Sequence, residues 1–187
     1  MAEKKGKLIV VSAPSGCGKT TIVSRLLHRH KNWTRSISYT TRPLRDGESN
    51  ARDYFFVSKQ EFARRKHRGF FLESATVFGH LYGTSKAFVE RRIRQGRHVI
   101  LAIDVQGMRQ VLRRVGKKIP MMSIFIMPPS IQALRARLKS RKTETGRQIQ
   151  ARLRMAQAEM SQCSRYDFTL VNRKVSDAVK EIEELVE

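Results

Sequence analysis

The sequence predicts an α/β fold in which a parallel sheet is covered by helices on both faces and carries a small β-rich insertion. Three observations predict it. Apolar runs at residues 8–11, 98–103 and 120–127 alternate with segments of helical periodicity, and uninterrupted apolar strands are those buried on both faces. Ala13-Pro14-Ser15-Gly16-Cys17-Gly18-Lys19-Thr20 follows the first run and opens the first helix, the strand–loop–helix setting of a phosphate-binding loop. Residues 36–84, by contrast, hold short extended pieces separated by turn residues.

Taken in order, residues 8–11 form the first buried strand. A helix over 19–28 aligns Ile22, Val23, Leu26 and Leu27 on one stripe. Residues 36–39 read as a strand, and 42–52, with Pro43, Asp46, Gly47 and Asn50, as a loop. A short strand over 54–57 leads to a helix capped by Ser58, with Glu61 at the capping-box position. Residues 70–74 and 79–83 are extended. A helix over 85–95 stops at Gly96, which can adopt the left-handed conformation that ends many helices. The strand over 98–103 ends in Asp104 and is followed by a helix over 106–115. The strand over 120–127 is stopped by Pro128 and Pro129, and Ser130 then caps a basic helix running to about residue 140. A helix over 147–163, a strand over 168–171 and a helix over 176–186 complete the chain. The 187 residues suffice for one domain with a real core.

Composition limits the function classes. At 40% hydrophobic the chain is globular, and no stretch approaches the roughly 18 apolar residues of a membrane span. The first seven residues hold no apolar signal region, and two distant cysteines, Cys17 and Cys163, make no disulfide framework. A reduced cytoplasmic setting is expected. The net charge of +22 raises the question of nucleic acid. Its distribution argues against a dedicated patch: residues 1–150 carry 32 basic and 9 acidic side chains, and only the last 37 residues balance, with 6 and 7. Aromatics are 7% and do not interleave with the basic runs, so stacking platforms for bases are not evident. A nucleic-acid partner is not expected, and the charge reads as solvated faces plus phosphate-binding arginines.

The phosphate loop carries the strongest chemistry. Gly16 and Gly18 allow the backbone to turn so that successive N–H groups face phosphate oxygens. Lys19 can reach the β/γ-phosphates and the Thr20 hydroxyl can ligate Mg²⁺. The helix N-terminus, with Thr21 in its first turn, adds its dipole. Residues 13–21 are therefore the expected nucleoside-triphosphate site. An acceptor is expected in residues 36–84. Arg42, Arg45 and Tyr54 flank a turn and offer two guanidinium forks and a phenol to a phosphate. Glu73 follows Phe70-Phe71-Leu72, either as an ordinary edge-strand charge or as a carboxylate held against apolar surface.

The segment Ser38-Tyr39-Thr40-Thr41-Arg42-Pro43-Leu44-Arg45-Asp46-Gly47-Glu48, followed by Asp53-Tyr54-Phe55-Phe56, resembles the nucleotide-acceptor region of guanylate kinases. So do Phe71-Leu72-Glu73, Tyr82-Gly83-Thr84, Ile103-Asp104-Val105-Gln106-Gly107 and Arg141-Lys142-Thr143-Glu144-Thr145, in order and from Leu8 to about Leu185. The resemblance implies a P-loop kinase with a three-layer core (1–35, 85–127 and 158–187), a GMP-binding insertion (about 36–84) and a mobile helical lid (about 128–157). It implies transfer of the γ-phosphoryl of ATP, with Mg²⁺, to GMP and dGMP. Ser38, Glu73 and Thr84 would hold guanine; Arg42, Arg45, Tyr54 and Tyr82 the GMP phosphate; and Gly83 and Asp104 would complete that site. Arg137, Arg141 and Arg152 would surround the transferring group with Lys19 and Arg42, and Asn172 would lie near adenine. Guanine presents N1–H and a 2-amino group side by side, which one carboxylate can accept together; adenine presents neither.

Three departures stand out from that pattern. Ala102 occupies a position where the family often has an acid, leaving Asp104 as the only carboxylate at that strand end. Thr84 replaces a common Ser and keeps the hydroxyl. Asn172 is followed by Arg173-Lys174 where acids are usual, making that edge more basic. Two other classes compete with the enzyme: a guanylate-kinase-like interaction domain, which commonly lacks an intact phosphate loop and lid arginines, and a related small kinase with another phosphorylated acceptor such as a ribose bisphosphate. A monomer or weak dimer is expected.

Overall fold

The computed structural model describes residues 6–116, 119–140 and 145–186. Strand β1 (Leu8–Ser12) is buried over its whole length and lies at the centre of a five-stranded sheet. It pairs with β7 (His98–Ala102) and β8 (Met121–Met127), while β2 (Trp33–Arg35) and β9 (Phe168–Val171) form the edges. All four pairings are parallel. Side chains alternate along a strand, so Ile9 and Val11 join one core cluster and Leu8 and Val10 the other.

The first cluster is closed by α1 (Lys19–Arg29), α5 (Ile131–Ser140), α6 (Gly146–Met160) and α7 (Val175–Val186), through residues such as Ile22, Leu134, Leu153 and Ile182. The second is closed by α3 (Lys86–Arg94) and α4 (Val105–Val115), through Val89, Met108 and Val111. The result is the expected three-layer α/β arrangement, with the phosphate loop at the carboxyl end of the central strand, where ligands sit in open parallel sheets.

Within residues 39–85 the chain builds a second sheet, in the order β4 (Phe55–Phe56), β3 (Tyr39–Thr40), β6 (His80–Ser85) and β5 (Phe71–Val77). Helix α2 (Lys59–His67) packs behind it, with the buried Phe62 ring stacked on Phe71 at 4.5 Å between centroids. β5 and β6 are antiparallel and in register except between Phe71 and Glu73, where β5 holds one residue more than its partner.

Several expected boundaries shift. The strand expected over 36–39 is a crossing: Trp33–Arg35 belongs to the parallel sheet, Tyr39–Thr40 to the second sheet, and Ser36 to Ser38 link them. Ser58 does cap α2, accepting from the Glu61 N–H, but the Glu61 carboxylate turns to Arg64 and Arg65, whose guanidinium groups outcompete the backbone donor. A reciprocal capping box occurs instead at Thr145 and Gln148, opening α6 one residue before the expected start. The helix expected to run to residue 163 ends at Met160 and is succeeded by a separate 3₁₀ turn, Cys163–Arg165. Among the described residues no helix is long and apolar enough to cross a membrane.

Candidate active site

The donor end is built around the backbone of the phosphate loop. Gly16 and Gly18 have φ of 94° and 85°, which L side chains rarely adopt. Gly18 has a second reason to be glycine: a Cβ there would lie 2.7 Å from Asn172 Nδ2. Ala13 and Pro14 are buried, the Pro14 carbonyl accepts from the Cys17 N–H at 3.1 Å, and Thr20 and Thr21 are exposed on the first turn of α1. Cys17 is buried and its thiol is pushed up to about 12, chiefly by burial; a protonated thiol is an inert core group. Lys19 donates from Nζ to the Ile103 carbonyl at 3.1 Å. Burial draws its pKa down, while the carboxylates of Glu159 and Asp104 within electrostatic range oppose that shift.

Three side chains brace the loop from outside. Asn172 Nδ2 donates to the Cys17 carbonyl at 2.7 Å, so this residue, expected beside adenine, is buried under the loop. Arg137 donates to the Asn172 carbonyl at 3.0 Å, and Arg152 to Ser15 Oγ at 2.6 Å. Arg141 lies outside the described residues.

A recess of about 340 Å³ opens between the second sheet and α6, lined by Arg42, Arg45, Phe78, Tyr82 and Arg152 among others. Arg42 is buried, with its guanidinium 5.4 Å from the Tyr54 ring centroid. Its Nη2 donates to both Glu48 oxygens, at 2.7 and 2.9 Å, and Nη1 to the Pro43 carbonyl at 2.7 Å. Glu48 is thereby held below the usual carboxylate range by the Arg42 hydrogen bond. Arg45 is exposed, and Tyr54 meets Tyr82 edge-on at 5.9 Å. Three guanidinium groups and the Tyr82 phenol therefore line one opening, with Tyr54 packed behind Tyr82, and guanidinium groups are strong partners for phosphate.

Glu73 is only 2% exposed, which excludes an ordinary edge-strand charge. The extra residue of β5 before it is a bulge, a device that re-aims side chains. Consequently Leu72 and Glu73, consecutive in sequence, both reach the α4 side: Leu72 joins the α4 core cluster, and a Cβ on Gly107 would come within 2.7 Å of Glu73 Oε2. The Thr84 hydroxyl donates to Glu73 Oε1 at 2.5 Å. Burial pushes the Glu73 carboxyl up to about 7, with nearby Asp104 adding to the rise and the Thr84 bond opposing it. Asp104 caps α4, accepting from the Gly107 N–H at 2.8 Å. Ser38 is half-buried, and its carbonyl accepts from the Phe55 N–H at 2.9 Å beside the Tyr39–Gly83 pair.

Helix α4 also fixes the strand on either side of Glu73. Gln110 donates to the Ser74 carbonyl at 2.6 Å and accepts from the Ser74 N–H at 3.1 Å. Arg114 Nη1 donates to the Phe71 and Leu72 carbonyls at 2.8 and 2.9 Å. Gly107, Gln110 and Arg114 fall at helical spacings of three and four, hence on one face.

Sequence reasoning missed Glu48 as the partner of Arg42, Glu159 as an acid facing Lys19, and the Gln110 and Arg114 brace. Glu159 is pushed up to about 7, mainly by burial and against the pull of Lys19. Its position seven residues after Arg152, on the same helical face, was the available signal.

A parallel sheet ending in a phosphate loop, faced by a buried carboxylate and an arginine-lined recess, defines a P-loop phosphotransferase with separate donor and acceptor sites. The sequence matches the family model described as guanylate kinase over residues 5–187. It is 43% identical over 185 residues to guanylate kinase of Wolbachia sp. subsp. Brugia malayi, covering 99% of this chain and 94% of that protein. It is 46% identical over 180 residues to guanylate kinase of Hahella chejuensis, covering 95% and 84%. The fold matches the crystal structure of guanylate kinase from Anaplasma phagocytophilum with a TM-score of 0.81 and 33% identity, over 98% of this chain and 85% of that one. The chain belongs to the guanylate kinase family.

Proposed function

We propose that the protein is an ATP:GMP phosphotransferase, taking GMP and dGMP to the diphosphates by direct in-line transfer. The observation that carries the reading is Glu73, a buried carboxylate with one oxygen on Thr84 and the other against the first turn of α4. Such a group accepts N1–H and the 2-amino group of guanine in parallel and would be left unpaired by adenine. Ser38, Gly83, Thr84 and Asp104 complete the base site, and Arg42, Arg45, Tyr54 and Tyr82 take the acceptor phosphate.

On the donor side, residues 13–21 cradle the triphosphate, and Asn172 contributes by fixing the Cys17 carbonyl. The exposed Thr20 hydroxyl is a hard oxygen donor suited to Mg²⁺; Mg²⁺ carried on ATP would neutralise charge on the phosphates there. Catalysis is positioning and charge stabilisation without a covalent intermediate. Lys19 leaves the Ile103 carbonyl for the β/γ-phosphates, while Arg42, Arg137, Arg141 and Arg152 surround the transferring group. The working division is a core (1–35, 85–127, 158–187), a GMP-binding part (36–84) and a lid (128–157). The protein works as a monomer or weak dimer in the cytoplasm, with nucleotides rather than nucleic acid as its partners.

A coupled assay of ADP release across GMP, dGMP, AMP, UMP and ribose phosphates tests the assignment. GMP and dGMP are expected to give turnover well above the others. Turnover confined to a ribose phosphate, or absent with all of them, overturns it in favour of a different acceptor or an interaction domain.

A further inference from the structure

The tip of the β5–β6 hairpin contradicts local preference. Val77 pairs with His80, leaving Phe78 and Gly79 as a two-residue loop with φ of 49° and 79°. Positive φ at both positions is the geometry of a type I′ turn, whose favoured pair is Asn-Gly. A bulky aromatic at the first position is strained, and half of the Phe78 side chain remains exposed, so burial offsets little of that strain. Backbone strain that persists in a fold clusters where function over-determines it. Here the strained residue has one specific contact. Its ring stands 4.5 Å from the Arg152 guanidinium, which in turn donates to Ser15 Oγ of the phosphate loop. Phe78 and Arg152 also line the recess that contains Arg42, Arg45 and Tyr82.

We propose that Phe78 is a positioning residue for phosphoryl transfer: its ring, held at the hairpin tip, sets the Arg152 guanidinium between the acceptor recess and Ser15. The inference rests on the proposed kinase reading but concerns a residue which that reading does not use. The hairpin belongs to the acceptor sheet and Arg152 to α6, so the pair is a direct physical link between the two halves of the site. A cation over an aromatic face is oriented as well as attracted, and orientation of a charge-stabilising group raises the rate only where charge develops.

The test separates this role from a merely structural one. Phe78→Asn installs the preferred Asn-Gly turn and removes the ring. The melting temperature should stay unchanged or rise, while kcat falls about 10-fold and the KM for ATP moves by less than about 2-fold. Phe78→Tyr should keep near wild-type kcat. In an Arg152→Met background, Phe78→Asn should cost no more than about 2-fold further, because the ring acts through a group already lost. The proposal is overturned if kcat is unchanged in Phe78→Asn, if stability falls together with activity, or if the single losses multiply in the double variant. The wild-type control is read separately: if it uses another monophosphate, the same comparison is made with that acceptor, and if it releases ADP with none, both readings fail.

Discussion

Under the proposed function, the phosphate loop and the Glu73 pocket meet the same demand, holding a polar ligand, by opposite means. The loop is contiguous: eight residues at the end of one strand form a turn that offers backbone N–H groups, and its constraints are local ones, two positive φ values and a close approach at Gly18. The pocket is assembled from three separate elements, with the carboxylate on β5, the hydroxyl on its hairpin partner β6 and the wall on the later helix α4. A backbone site needs few specific side chains and presents partial charges that cost little to keep solvated. A buried carboxylate is expensive without its partners, so the pocket depends on every group around it. The donor end should therefore fail through loss of a single charge, and the acceptor end in graded fashion through geometry and protonation.

The largest effect is expected at the donor end. Lys19→Ala removes the positive partner whose work grows as charge migrates from the γ-phosphoryl, and should cost on the order of 10³-fold or more in kcat. Removing a partly buried cation should not unfold the protein, because the variant loses a desolvation cost along with the Ile103 bond. A folded variant with near wild-type turnover would show that the loop is not the donor site.

At the acceptor end, Glu73→Gln keeps the size of the side chain but offers one acceptor and a mismatched donor. A bidentate pair is worth about 1–3 kcal/mol, so kcat/KM for GMP should fall by about 10- to 100-fold with ATP binding scarcely changed. IMP, lacking only the 2-amino group, should lie between GMP and AMP for the wild type, and the variant should compress that range. The pH dependence sharpens the test. The Glu73 carboxyl titrates at about 7 because it is buried, so below that pH the free enzyme holds the protonated form, which cannot accept two donors. The acid limb of kcat/KM for GMP should bend near 7 and vanish in Glu73→Gln; if it persists there, Glu159, also pushed up to about 7, is the group responsible. Stability should move the other way. A carboxyl whose folded value is raised favours the folded state most at low pH and opposes it above 7, so the Gln variant should melt higher than wild type at pH 8. Equal melting temperatures at pH 8 would mean that the buried charge is better compensated than its surroundings indicate.

The contrast also explains what could be read from sequence. The loop was legible because all its determinants are adjacent, and the core strands because buried parallel strands are uninterrupted apolar runs; β1, β7 and β8 fall within a residue or two of their expected bounds. The pocket was legible only in its residue types. Glu73 could be named, but nothing in Phe71-Leu72-Glu73 announces a bulge, since one extra residue is defined by the partner strand and not by the strand itself. The crossing over Ser36 to Ser38 was misread as strand for a related reason: short extended stretches look alike whichever sheet they enter. The contact of Asn172 with the loop backbone 155 residues earlier was not legible either, because it joins two segments that only the fold brings together. Glu48 and Gln110 each satisfy a group whose identity appears only once the chain is folded.

Gln110 should have the smallest effect and probes the pocket's frame. Its side-chain amide completes the free side of β5 as a peptide group would, donating to one Ser74 group and accepting from the other. Gln110→Ala leaves both Ser74 groups without these partners; at about 1 kcal/mol per bond, the loss should be roughly 1–3 kcal/mol of stability, or several degrees in melting temperature for a chain of this size. Because Arg114 still holds the Phe71 and Leu72 carbonyls, β5 should stay in place but loosen after the bulge, on the Ser74 side of Glu73. KM for GMP should then rise about 3- to 5-fold while KM for ATP and kcat change little, since the donor end shares no partner with Gln110. Gln110→Glu supplies the acceptor for the Ser74 N–H but no donor for its carbonyl, and should fall between wild type and Ala in both readouts. If melting temperature drops with GMP affinity untouched, α4 supports the fold without setting the position of Glu73. If the Glu and Ala variants are equally impaired, the donated bond to the Ser74 carbonyl is the one that matters.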